Sequence, residues 1–273
     1  MKQVLLIAGL VFQLFVSTQV LANKSEFPGR VEFPEVAVMS MAQLQAKFND
    51  VVIVDARSSY EYETLRIKGA LNISVAASDF NSKVLKLRKN TTAAIVFYCN
   101  GRTCFKSYKA VEKAKKAGVS NVFAYDAGMF EWAKANPKKS VLRNISPINT
   151  SDIISKDSYK SRLLDAQAFI NKARKSDKST LVLDIRDMYQ RAGISFFPGK
   201  ERWASLDQKK RLVRYLKSAF KKNKTILVYD EVGKQAYWFQ YALEEAGIKD
   251  YYFMKGGARS YYKIIENKVK AKI

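Results

Sequence analysis

The chain contains no histidine, and that absence removes a chemistry. No imidazole is present to activate a cysteine, so a Cys-His hydrolase is excluded. Cysteine is nearly as scarce: Cys99 and Cys104 are the only two in 273 residues. Two thiols do not make a disulfide scaffold, and a chain of this length buries enough apolar surface to stand without one. The pair remains free to oxidise to one another in an oxidising compartment. Acidic residues are few, 25 against 48 lysines and arginines, which gives a net charge of +23. The lysines are spread along the chain and no arginine/aromatic cluster stands out, so nucleic acid is not an expected partner. The charge reads as a solvated lysine-rich surface, or as attraction for small anions, an acidic protein or an anionic membrane.

Long apolar runs are absent except at the N-terminus. There Lys2 precedes a run over 4–16, about 13 residues where roughly 20 are needed to span a bilayer, and Val20-Leu21-Ala22 fits the small-residue cleavage rule. Residues 1–22 are therefore expected to be a signal peptide. The mature protein is expected to be periplasmic or secreted, with no stable membrane insertion after signal removal.

What is present is a repeat. Val-Val-Ile-Val-Asp-Ala-Arg at 51–57 matches Thr-Leu-Val-Leu-Asp-Ile-Arg at 180–186, each an apolar strand running into a polar loop. The run at 94–98 matches that at 225–229, and the helical patterns at 109–117 and 239–246 stop at Gly118 and Gly247. Short strands follow at 121–125 and 250–254. Gly118 to Gly128 and Gly247 to Gly257 have the same spacing, and Trp132 and Tyr261 fall at matching places. Strands alternating with helices predict a parallel sheet covered on both faces, twice over. The domains are read as 36–138 and 159–273, joined by a polar linker at 139–158.

Chemistry concentrates at 94–107, Ala-Ile-Val-Phe-Tyr-Cys-Asn-Gly-Arg-Thr-Cys-Phe-Lys-Ser. Cys99 follows a buried strand and precedes a helix, where loop N–H groups and a helix N-terminus favour a thiolate. Asn100-Gly101 suits a tight turn, with Gly101 free to take a positive φ. Arg102 suits an anionic substrate and Lys106 adds a second cation. Thr103 completes the loop. Cys104 reads either as a resolving thiol or as a small apolar loop residue. Asp55-x-Arg57 and Asp184-x-Arg186 occur in both halves, only one of which has a cysteine, so they read as structural ion pairs.

Both halves resemble rhodanese domains. The first carries Ile53-Val-Asp-Ala-Arg57, Glu61-Tyr62 and Arg66-Ile-Lys-Gly-Ala-Leu-Asn-Ile73, with Arg66 where the family usually has histidine. The second keeps Asp184-Ile-Arg186 and Phe197-Pro-Gly199 more loosely, then Met254-Lys-Gly-Gly257. The resemblance covers most of 36–266. It implies an α/β fold of two rhodanese-like domains, each a small parallel sheet flanked by helices. It also implies a sulfurtransferase that moves sulfane sulfur from a small anionic donor to a thiol, protein or cyanide acceptor through a Cys99 persulfide, with no cofactor and no metal. Asn100, Gly101, Arg102, Thr103, Cys104 and Lys106 would then line the substrate. Asp230 holds the cysteine's place in the second half, which would be catalytically silent.

Two departures are visible. In the well-known two-domain sulfurtransferases the active cysteine lies in the C-terminal domain. The stretch from Cys99 to Gly118 is also two residues longer than its counterpart from Asp230 to Gly247. Related phosphatases have longer loops but need Cys-x5-Arg, and the sixth residue after Cys99 is Phe105. A Cys99/Cys104 thiol–disulfide protein and a non-catalytic binding module are the remaining alternatives.

Overall fold

The computed structural model describes residues 26–175 and 179–271, so the segment read as a signal peptide lies outside the described residues. The chain divides into two compact units, the first ending at Thr150 and the second beginning at Ser151.

In the first unit, helices α1 (Pro28–Glu32) and α2 (Met41–Ala46) precede β1 (Val51–Asp55), α3 (Ser59–Thr64), β2 (Leu65–Ile67) and β3 (Leu71–Asn72). Then come α4 (Phe80–Lys89), β4 (Ala94–Tyr98), α5 (Lys106–Lys116), β5 (Val122–Tyr125), α6 (Gly128–Ala135) and β6 (Ser140–Leu142). Strands β3, β1, β4 and β5 form a parallel sheet in that order. Side chains alternate across it, so Ile95 and Phe97 face one way and Val96 and Tyr98 the other, all fully buried. Ile95 and Phe97 pack with Phe80 and Val84 of α4 and with Tyr108, Val111 and Ala114 of α5. Each valine, isoleucine or phenylalanine among them contributes about 1.5–3 kcal/mol by leaving water. Helix α5 buries Ser107, Tyr108, Ala110, Val111 and Ala114, carries Lys113, Lys115 and Lys116 in its last turn, and stops at Gly118, whose φ is +86°.

The second unit repeats the plan with α7 (Lys156–Lys160), β7 (Leu163–Leu164), α8 (Ala166–Lys175), β8 (Thr180–Asp184), α9 (Met188–Arg191) and β9 (Glu201–Trp203). It continues with α10 (Lys209–Lys221), β10 (Thr225–Tyr229), α11 (Ala236–Glu245), β11 (Tyr251–Met254) and α12 (Gly257–Lys270). Its parallel sheet has the order β7-β11-β10-β8-β9.

The segment read as a linker, 139–158, is not a free connector. Strand β6 pairs antiparallel with β2, and Ser140, Val141, Leu142, Ile148, Ile153 and Ile154 are buried. Its Ser/Asn/Pro content masked short apolar stretches that pack on the units at either end. Among the described residues no helix is long and apolar enough to cross a membrane.

Candidate active site

The Asp-x-Arg motifs make buried bidentate pairs in both units. Arg57 reaches Asp55 at 2.9 and 2.6 Å, and Arg186 reaches Asp184 at 3.0 and 2.9 Å. In the first unit the pair does more: Arg57 Nη1 donates to Asn100 Oδ1 at 2.9 Å. The amide of Asn100 donates in turn to Glu61 Oε1 at 2.8 Å, and Lys106 Nζ donates to Glu61 Oε2 at 3.1 Å. Glu61 is thus a buried carboxylate that ties both ends of the Cys99 loop to α3. Burial alone would raise its pKa, but Lys106, Arg57 and Asn100 more than offset this and bring it down to about 2.

The role of Glu61 was missed in the sequence, although a signal was there. Ser58-x-x-Glu61 is a capping box, and its serine accepts the Glu61 N–H at the start of α3. The second unit has the same box in Asp187-x-x-Gln190, with an uncharged residue where Glu61 stands.

Cys99 begins the loop at the carboxyl end of β4, where ligands of such sheets gather. It is fully buried. Its Sγ donates to the Cys104 carbonyl oxygen at 3.0 Å and lies 3.7 Å from Ser107 Oγ. Burial pushes the Cys99 thiol up, with Cys104 adding to the rise. Cys104 behaves in the opposite way. The Cys99 thiol, the N–H groups of Asn100 and Lys106, and the Lys106 ammonium favour its thiolate against partial burial and bring it down to about 6. The electrostatic setting expected for Cys99 therefore belongs, in this closed loop, to Cys104.

Three more expectations for the loop change. Gly101 does not take a positive φ. The positive φ lies across from it at Gly128 (φ +79°), where a Cβ would sit 2.3 Å from the Gly101 nitrogen. That approach, together with the Met129 N–H donating to the Cys99 carbonyl at 2.9 Å, holds the loop base against α6. Arg102 is not a free guanidinium awaiting an anion: it makes a bidentate pair with Glu131 at 2.6 and 2.8 Å, also pairs with Glu26, and lies over the Phe27 ring. Lys106, expected only as a second cation, is the one whose charge bears on both sulfurs. Thr103 is exposed. Phe105 precedes α5 and meets Phe33 edge-on.

At the matching place in the second unit, the Asp230 carboxylate accepts the N–H groups of Gly233, Gln235 and Ala236, the last at 3.1 Å. The loop is folded around a carboxylate of its own chain. Among the described residues no three Cys, Asp or Glu side chains are grouped to hold a metal ion.

These features define a duplicated parallel α/β protein with a cysteine loop at the sheet's carboxyl edge in one copy and an aspartate loop in the other. The profile of the rhodanese-like domain matches the chain twice, over residues 40–135 and 167–264. The chain belongs to the rhodanese-like family and carries two such domains. A stretch of 103 residues is 34% identical to part of an HTH-type transcriptional regulator of Mycobacterium tuberculosis (strain ATCC 25618 / H37Rv). That match covers 37% of this chain and 43% of the regulator, so the chain spans less than half the regulator's length. Among solved structures, thiosulfate sulfurtransferase from Pseudomonas aeruginosa is 19% identical, with a TM-score of 0.35 over 85% of this chain and 46% of that one. A Helicobacter pylori 26695 protein solved by NMR is 21% identical, with a TM-score of 0.32 over 38% of this chain and 88% of its own.

Proposed function

We propose that the first domain is a sulfurtransferase in which Cys99 carries sulfane sulfur from thiosulfate or a polysulfide or persulfide donor to a thiol or cyanide. The observation that carries this reading is the position of Cys99. In a rhodanese-like domain it starts the loop at the carboxyl end of β4, and the second domain has Asp230 in the same place.

With thiosulfate, the Cys99 thiolate attacks the outer sulfur, the donor's S–S bond breaks, and sulfite leaves with the electron pair. The proton that Cys99 loses goes to solvent, since the chain has no histidine to take it. In the second half-reaction an acceptor thiolate or cyanide attacks the outer sulfur of the persulfide, and Cys99 leaves as thiolate. Two half-reactions with a covalent intermediate give ping-pong kinetics. A small anionic donor and a thiol or protein acceptor are the partners of this reading, and the exported compartment expected from residues 1–22 is its setting. Asp230 has no sulfur to carry, so the second domain is catalytically silent.

The test is mass spectrometry of the protein mixed with thiosulfate or polysulfide, with thiols trapped by alkylation from the earliest times. One added sulfur, about 32 Da, is expected on Cys99. It should be absent in Cys99→Ser and retained in Asp230→Ala. No adduct with any sulfur donor would sink the reading.

A further inference from the structure

We propose that Cys104 resolves the Cys99 persulfide, closing a Cys99–Cys104 disulfide and expelling the carried sulfur as hydrosulfide. The proposal rests on the sulfur-transfer reading of the same loop and adds an acceptor built into the chain.

The geometry starts from the two residues by which this loop exceeds its counterpart. The extra length turns inward. The Cys104 N–H donates to the Gly101 carbonyl at 2.8 Å, a tight turn that folds residue 104 back over the strand end. That turn places the Cys104 carbonyl 3.0 Å from Cys99 Sγ. In the second domain the loop's N–H groups converge on the Asp230 carboxylate. Here the N–H groups of Asn100 and Lys106 act on the Cys104 sulfur, which fills its own loop as an internal anion.

Burial separates the two thiols' tasks. Cys99 is fully enclosed and Cys104 partly exposed, so Cys104 is a thiol already in place beside a Cys99 persulfide. Lys106, tied to Glu61, keeps a positive charge beside both sulfurs. A thiol that ionises near pH 6 is largely thiolate at neutral pH, which suits an attacking group.

The step balances. The outer sulfur of the Cys99 persulfide takes a proton from solvent, Cys104 thiolate attacks the inner sulfur, the new S–S bond joins the two cysteines, and HS⁻ leaves with that proton and the electron pair of the broken bond. The sulfane sulfur is reduced by two electrons and the two cysteine sulfurs are oxidised by two. An external dithiol then restores both thiols by ordinary exchange.

The experiment uses the full chain, reduced and desalted under anaerobic conditions, with thiosulfate or a small organic persulfide and no acceptor. Wild type should release about one equivalent of hydrosulfide in the thiosulfate arm and end lighter by about 2 Da, with Cys99 and Cys104 in one disulfide-linked peptide. Cys104→Ser and Cys104→Ala should instead keep the added sulfur on Cys99, with a lifetime at least about tenfold longer after donor removal. If wild type holds its persulfide as long as these variants and forms no disulfide, the resolving role is overturned while sulfur transfer stands. If neither donor leaves sulfur, sulfide or disulfide on any variant, both readings fall.

Discussion

Replacing Glu61 with glutamine tests whether charge, and not packing alone, holds the cysteine loop. The substitution preserves shape and the capping-box acceptor but removes the carboxylate that binds Asn100 and Lys106. Burial opposes the ionised form, yet Lys106, Arg57 and Asn100 lower the pKa of Glu61 from 4.5 to about 2. At 1.36 kcal/mol per unit this corresponds to about 3 kcal/mol of stability. The folded pKa lies below the unfolded one, so the contribution is fully present above about pH 4.5 and is lost as the pH falls towards 2. Urea denaturation followed by tryptophan fluorescence should therefore show Glu61→Gln less stable by about 2–3 kcal/mol at pH 7, with the gap narrowing steadily below pH 4.5. The same variant should load sulfur on Cys99 more slowly, because Asn100 and Lys106 lose their common anchor. A gap as wide at pH 3 as at pH 7 would refute the electrostatic account. Equal stability at pH 7 would refute the anchoring role.

Gly128→Ala forces a Cβ to within 2.3 Å of the Gly101 nitrogen at a positive φ, so it should lower the rate of Cys99 sulfur loading at least about tenfold. Gly118→Ala meets nothing within 4 Å and should lose only the φ preference, about 1 kcal/mol in denaturation, with loading unchanged. Asp230→Ala leaves the N–H groups of Gly233, Gln235 and Ala236 without their acceptor, so the variant should melt several degrees lower. Sulfate should restore more of its melting temperature than it adds to wild type, and an equal rise in both would show that the cradle takes no anion.

The sheets were legible because their strands are apolar runs with sharp ends. The runs at 94–98 and 225–229 are β4 and β10 to the residue, and the Asp-x-Arg motifs form the expected buried pairs. The order of strands within each sheet was not legible, since hydrophobic runs fix burial and not neighbours. Strand β6 escaped notice because three residues paired with another three-residue strand carry no periodicity. At the site, the sequence placed Cys99 at the strand end, but the burial that pushes its thiol up and the N–H groups that favour a thiolate at Cys104 are visible only in the fold. Proximity along the chain made Arg102 look available, whereas Glu131, 29 residues away, occupies it. A lysine at a helix N-terminus is disfavoured by the helix dipole, which speaks against Lys106. The pairing with Glu61 that compensates for this spans 45 residues and is visible only in the fold.

The two domains close one kind of loop in two ways. In the second, the anion is the Asp230 carboxylate, part of the strand-end residue itself, and nothing arriving from solution can take its place without unfolding the turn. In the first, the strand-end residue is a buried thiol, and the N–H groups of Asn100 and Lys106 act on the sulfur of Cys104 instead. The asymmetry between the domains is therefore larger than one aspartate for one cysteine. It joins a strand-end thiol, a second thiol within the loop and the cation at Lys106, held in register by a glutamate whose counterpart in the second domain is glutamine.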